Sequence, residues 1–385
     1  MSNNQSNPSK PEQISIKTVN TQKEMNLFYK IPWSIYKKDP NWIAPFWTEF
    51  KEFFDDTNPF WSHTEKKLFI AYIQNKPVGR IAVFIDHLYC QSIQNKIGFF
   101  GFFESINNKE LAHQLLQEAQ DWLTKKGMNK MQGPINGRVD IGCGFLLNDN
   151  NSPPSLLSTY SPGYYASFCE SFNMEKERDL VEYYINLKQK FPSKFIEKAR
   201  LCENNGVSIR TFNRFRTNKE LRWWIDLFLE TFKDHWGYIP VSSEEVKTRF
   251  GVKQLRWTID TKLFHIAEAD NAPIAYLWST PEYNQVFRKM NGKLNLYQMI
   301  RFLNYKNHID IGKLHIIGIK KEWRHKHIGT LLNYYSLMEM KNRGYKGAIV
   351  GWIDEQNKNA HATISLTGAK VIKKFRVFEK KLKET

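Results

Sequence analysis

Apolar positions along the chain alternate between two rhythms. Short runs rich in β-branched and aromatic residues, "KLFIAYIQ" (Lys67 to Gln74) and "VGRIAVFID" (Val78 to Asp86), flank the turn "NKP" and predict a hairpin. "KIGFFGFFES" (Lys96 to Ser105) predicts a further strand. In the stretch that follows, Leu111, Leu115, Leu116, Ala119, Trp122 and Leu123 fall on one face of a helix over Lys109 to Met128, with Gly127 at its end. "NKMQGPIN" (Asn129 to Asn136) returns to the strand rhythm. The order then repeats. "VSIRTFN" (Val207 to Asn213) predicts a strand, Asn218 to Trp236 a helix, and Leu263 to Pro281 a hairpin. "KLHIIGI" (Lys313 to Ile319) predicts a strand, "IGTLLNYYSLMEMKNRGY" a helix and "GAIVGWI" (Gly347 to Ile353) another strand, before a short helix and a final strand. Two α/β units of similar order imply two domains, 13–190 and 207–385, joined by a linker at 191–206. The polar start, residues 1–12, is expected to be disordered.

Composition narrows the class. A chain of 385 residues, 41% hydrophobic and 15% aromatic, has ample material for packed cores. Four scattered cysteines without a C-x-x-C pair predict reduced thiols in a cytoplasmic protein. The start reads as neither a signal peptide nor an anchor, and no run has the length to span a bilayer. The formal charge of +17 asks for an acidic partner: an anionic cofactor, an anionic membrane surface or nucleic acid. Nucleic acid is the least supported, because the basic residues are spread along the chain without a zinc-finger, basic-zipper or RNA-recognition pattern. No metal site is expected.

Candidate chemistry concentrates in "GIKKEWRHKHIGTLLNYY" (Gly318 to Tyr335), where Arg324, His325, Lys326 and His327 stand between a strand and a helix. The first turn of a helix leaves N–H groups without intrahelical partners at the positive end of the helix dipole. With Gly329 allowing close backbone approach, such a turn can hold a pyrophosphate. The same residues also fit a solvated basic turn ahead of a core helix.

"RHKHIG" (Arg324 to Gly329) resembles the pyrophosphate loop R/Q-x-x-G-x-G/A of the GNAT superfamily of acyl-CoA N-acyltransferases, with His327 in place of the first glycine. His327 must therefore accept that glycine's backbone angles, which histidine does more readily than most residues. Asn357, Ala360 and Gly368-Ala369 match the family's next element. Where many members carry a tyrosine that protonates the departing thiolate, this chain has Ile364. The resemblance implies an α/β (α+β) fold of two tandem GNAT-like domains, each a mixed, mostly antiparallel sheet flanked by helices. It implies acyl-CoA as cosubstrate, with pantetheine contacts at Ile317, Gly318 and Ile319. Phosphate contacts would come from Arg324, His325, Lys326, His327, Ile328, Gly329 and Thr330, with Asn357 beside them. The first half lacks such a loop after "FFES", so one cofactor site is expected, in the second half. "DPNWIAPF", "VGRIA", "GFFGFFE", "GPIN", "HWGYIP" and "GWIDEQN" further resemble a bacterial family described as YghO-like N-acetyltransferases. Its relatives include bacterial ceramide synthases, which acylate a long-chain sphingoid amine.

Acyl transfer to an amine needs a base within hydrogen-bond reach of the nucleophile. The candidates are His235, in the segment that forms the acceptor wall of the GNAT fold, Glu104 across an interdomain cleft, and Glu355 or Asp354 at the end of the fifth strand. His315, inside its strand, is an alternative. Each also has a structural reading: a helix-terminal histidine, an acid favoured by a helix dipole, solvated strand ends, a packed strand histidine. The expected function is acyl transfer from coenzyme A to a primary amine, with a long-chain amine as the sharper version and the membrane's inner face as a peripheral location. An aminoacyl-tRNA-dependent transferase of tandem-GNAT type and a non-catalytic acyl-CoA-binding module are the alternatives.

Overall fold

Strands form where the β-branched and aromatic runs stand, and they join in one sheet. A computed structural model describes residues 13–148, 151–204, 206–233, 235–239, 241–250 and 259–383, so the start expected to be disordered lies outside the described residues. The first half contributes β1 (Ile14–Thr18), β2 (Thr64–Ile73), β3 (Lys76–Asp86), β4 (Ile97–Ser105), β5 (Lys130–Gly133), β6 (Phe145–Leu146) and β7 (Glu175–Asn186). The second contributes β8 (Ser208–Thr211), β9 (Phe264–Ala269), β10 (Ala272–Pro281), β11 (Ile311–Ile319), β12 (Gly347–Asp354) and β13 (Lys370–Lys381). Neighbouring strands run antiparallel except for the pairs β4·β5 and β11·β12, one in each half.

The spatial order is β1-β2-β3-β4-β5-β13-β7-β12-β11-β10-β9-β8, with β6 against β13. Two separate sheets were the simpler expectation. Instead the last strand of the chain enters the first half between β5 and β7, while β7 leaves the first half to pair with β12. Each half therefore borrows a strand from the other, which satisfies backbone groups that would otherwise form two open edges.

Among the described residues the helices are α1 (Gln22–Ile35), α2 (Trp47–Phe54), α3 (His87–Ser92), α4 (Lys109–Lys125), α5 (Tyr164–Ser171), α6 (Ser193–Asn204), α7 (Thr217–Thr231), α8 (Ser243–Phe250), α9 (Asn284–Phe287), α10 (Leu296–Tyr305), α11 (Ile328–Asn342) and α12 (Lys358–Ser365). The stretch expected as a linker is largely α6, whose Phe195, Ala199 and Cys202 are buried with Leu331 and Leu332 of α11. The helix expected through Trp236 stops at Thr231. There the Thr231 hydroxyl bonds back to the Leu227 carbonyl at 2.8 Å, and the chain turns through Gly237 at φ 70°. One apolar core runs through both halves, from Phe28, Phe54 and Phe84 to Trp224, Phe264 and Trp278. The four cysteines are free thiols.

Candidate active site

The sheet opens in the second half. Parallel pairing of β11 with β12 runs from Ile311↔Gly347 to Leu314↔Val350 and ends there. Beyond it β11 keeps its antiparallel partner β10, through Ile317↔Leu277, Gly318↔Tyr276 and Ile319↔Ala275. From His315 to Ile319 the edge of β11 that faces β12 thus borders a cleft of about 700 Å³. Gly318 is required by packing: a Cβ there would stand 2.4 Å from the Tyr276 ring and 2.6 Å from the Thr231 hydroxyl.

The basic turn stands at the end of that edge. His325 and His327 take φ of 66° and 59°, and α11 begins at Ile328 with no side-chain cap from His327. Ile328, Gly329 and Thr330 line the cleft, so the helix's first turn and its dipole border the cavity. Lys198 of α6 also lines it. Burial first, then Lys198, push the His327 imidazole below its usual pKa. Arg324 lines the cleft, but its guanidinium donates to the carbonyls of Ile319 at 3.4 Å and Thr231 at 3.2 Å, closing the C-terminus of α7. Lys326 lies over the Trp323 ring at 4.5 Å and is not part of the cleft wall. Asn357 lines the cleft and caps α12, accepting from the Ala360 N–H at 3.1 Å. Ile364 is buried in the wall and has no proton to give.

The opposite wall is apolar and comes from both halves. Phe228 of α7 and Phe232, Trp236, Tyr238 and Ile239 of the turn after it face Val139, Leu156 and Leu157 of the first half. His235 is exposed on this wall, its ring stacked on Phe232 with centroids 4.4 Å apart. His315 is buried, stacked on Trp278 at 4.7 Å, with Nε2 2.8 Å from the Thr280 hydroxyl. Burial first, then nearby Lys313, hold its pKa well below the ordinary histidine value. Asp354 lines the cleft but pairs with Arg178 at 3.1 Å.

Two sequence candidates stand elsewhere. Glu355 accepts from Lys176 at 2.6 Å and from the Asp179 N–H at 3.1 Å, outside the cleft wall. Glu104 faces Arg80 across the β3–β4 register, 3.6 Å away, and accepts from the Tyr165 hydroxyl at 2.8 Å inside the first half. The strand pairing that makes Glu104 a partner for a buried arginine removes it from the cleft.

The cleft also contains residues the sequence reading missed. Lys313, 2% exposed, donates to Glu182 and to the Ser155 hydroxyl, both at 2.6 Å, and Ser158 also donates to Glu182, at 2.5 Å. Lys313 and Ser158 line the cavity, so this network joins the halves at its floor. Arg138, paired with Asp140 at 2.9 Å, and Tyr238, the phenol of the cleft among the described residues, belong to the same group of omissions. A lysine at an inward strand position was a usable signal. Arg138 and Lys198 gave none, because distant segments bring them to the site.

The corresponding opening in the first half is filled by the chain itself. β4 and β5 pair only from Ile97↔Lys130 to Phe99↔Gln132. The Ile135 N–H then bonds the Phe100 carbonyl at 2.7 Å, and the Asn136 side chain accepts from the Phe102 N–H at 2.7 Å. Asn108 caps α4, accepting from the Leu111 N–H at 3.0 Å, where α11 has no such cap.

This architecture, two α/β units each with a splayed parallel pair, is a tandem GNAT fold. A tandem GNAT protein from the clavulanic acid biosynthesis pathway superimposes with a TM-score of 0.56 at 10% identity, covering 97% of this chain and 100% of that one. The glucosamine N-acetyltransferase region of a fungal multi-domain β-N-acetylglucosaminidase gives 0.57 at 15% identity, covering 98% of this chain and 39% of that one. No protein-family profile matches the chain. In sequence it is similar to Protein YghO of Escherichia coli, 25% identical over 373 residues, 95% of each chain. It is also similar to the bacterial ceramide synthase of Caulobacter vibrioides, 26% identical over 378 residues, 96% of this chain and 98% of that one.

Proposed function

We propose that this chain is an acyl-CoA-dependent N-acyltransferase whose acceptor is a primary amine with a long apolar chain. The observation that carries the reading is the continuity of the cleft: an open strand edge and an uncapped helix N-terminus lead directly into an apolar wall built from both halves. The residues fit acyl-CoA. The edge at Ile317, Gly318 and Ile319 offers backbone groups to an amide-bearing arm, while the N–H groups of Ile328 to Thr330, with Lys198, suit phosphates. The first half, with its own opening filled and its helix capped, serves the acceptor side. Resemblance to a ceramide synthase agrees with an amine of sphingoid type.

In the reaction the amine nitrogen bonds the thioester carbonyl carbon, loses a proton to a base, and the carbon–sulfur bond breaks to release a thiolate that takes up a proton. His235 is the base we assign, since it lies on the acceptor wall, where an amine entering the cleft would meet it. Tyr238 is the proton donor the cleft offers in place of Ile364. Burial raises its pKa, so it keeps its proton at neutral pH.

A long-chain amine resides in a bilayer. No helix among the described residues is long and apolar enough to cross one. On this reading the protein meets its amine from the membrane's cytoplasmic face. The test is purified protein with acyl-CoA and a series of alkylamines, following thiol release and amide formation by mass spectrometry. Each added methylene is expected to raise kcat/KM about fourfold over the first few carbons, from about 0.8 kcal/mol per buried CH₂. A flat series would overturn the long-chain acceptor, and absence of amide with every amine would overturn the reaction.

A further inference from the structure

The helix α10 is apolar on two faces. Inward, Phe302 packs its ring against Tyr283 at 5.7 Å and Phe287 at 6.1 Å, over a small core with Phe46, Val286 and Met290. Outward, Leu296, Ile300 and Leu303, spaced i, i+4, i+7, form a stripe that is 78%, 51% and 52% exposed. The helix is firmly made. Asn295 caps it, accepting from the Gln298 N–H at 3.0 Å, and the preceding turn is pinned where Gly292 leaves no room for a Cβ, 2.6 Å from the Pro45 carbonyl. Among the described residues nothing accounts for the outward stripe.

Its flanking sequence is uniformly basic. No Asp or Glu occurs between Glu282 and Asp310, while Arg288, Lys289, Lys293, Arg301 and Lys306 do. Arg301 lies 5.6 Å from the Tyr297 ring and 5.8 Å from that of Tyr305, a cation beside amphipathic rings at the border of the stripe. The site is close: Leu156 packs on the small core beneath α10 and also lines the cleft, and its neighbour Leu157 is an exposed part of the cleft wall.

We infer that the outward stripe of α10 and its basic border form the surface by which the protein settles on an anionic phospholipid bilayer, beside the acceptor side of the cleft. Charge complementarity selects this occupant. An apolar stripe with a cationic rim matches acyl chains beneath anionic headgroups. A second copy would bring the same positive rim, on a chain of formal charge +17, against its like. Nucleic acid would leave the aliphatic stripe in water. The inference deepens the proposed reading by naming where a long-chain amine is met, and its test does not depend on which amine reacts.

The experiment is flotation of the full chain with vesicles of phosphatidylcholine alone or mixed with phosphatidylglycerol. Two variants are compared, L296S/I300S/L303S and K293Q/K306Q, with acyl-CoA binding as the control for folding. The wild type is expected to float with the mixed vesicles, less so as salt rises. The stripe variant should lose about tenfold or more in partition, and the charge variant about fivefold per lysine, the equivalent of about 1 kcal/mol each. A wild type indifferent to mixed vesicles, a stripe variant that floats equally well, or a dimer that the stripe substitutions dissociate would each overturn the inference. Acylation of a soluble amine without flotation would sink this surface and leave the proposed reaction. Flotation without acylation would do the reverse.

Discussion

Lys313 stands at the point where one side chain affects both stability and the cleft. It is buried with Glu182, and their mutual pairing, the serines around them and the nearby Glu282 offset the removal of both charges from water. Lys313→Met should destabilise the protein by about 3–5 kcal/mol, because Glu182 would be left charged and buried. Adding Glu182→Gln should recover part of that loss. Urea denaturation of the wild type, the single variant and the double variant checks this, and equal stability of the three would contradict it. His327 invites a second substitution. At φ 59° a β-branched residue is strained by about 1–2 kcal/mol and glycine is not, so His327→Val should weaken acyl-CoA binding in calorimetry while His327→Gly should retain it. The need for a left-handed residue at 327 was legible in the loop pattern. The commitment of Arg324 to two carbonyls was not, since one of them belongs to Thr231 on another helix.

At the scale of elements, α8 is held to the first half through a buried histidine. His63 lies between Asp86, after its hydrogen bond of 3.1 Å at the end of β3, and Glu245 of α8 at 3.3 Å. Burial opposes its charge, yet the two carboxylates prevail and raise its pKa from 6.5 to about 9. Its folded pKa lies above its unfolded one, so its contribution to stability is fully present below pH 6.5 and is lost as pH rises toward about 9. Thermal melts across that window should show a fall in the wild type that is reduced in His63→Gln. A fall of the same size in the variant would assign the effect elsewhere. The filled opening of the first half gives a further check. A Cβ on Gly101 would stand 2.1 Å from the Ile135 carbonyl oxygen, so Gly101→Ala should cost about 1–3 kcal/mol or more in denaturation, because backbone and not a flexible side chain must yield. Helices such as α4 were readable from one-face periodicity. The early end of α7 was not, because it is made by a back-bonding threonine and a distant arginine.

Across the whole molecule, exchange of β7 and β13 makes the halves interdependent. A chain with two borrowed strands and a core shared between its halves should unfold in one transition, with tryptophan fluorescence and circular dichroism coinciding in urea. Two separated transitions would show that the halves fold independently. The same exchange lets the first half reach the cleft, placing Val139, Leu156 and Leu157 opposite β11.

The order of strands and helices, the basic turn at Arg324 to Gly329 and the left-handed demand on His327 were determined by local sequence, because periodicity, propensity and loop chemistry act over a few neighbouring residues. Which strand fills which gap, the withdrawal of Glu104 into a pair with Arg80, and the gathering of Lys198, Arg138 and Lys313 at one cleft were decided only by the tertiary structure. These depend on residues tens to hundreds of positions apart, as with Lys313 and Ser155, and their side chains carry no local mark of the partner that will neutralise or bury them.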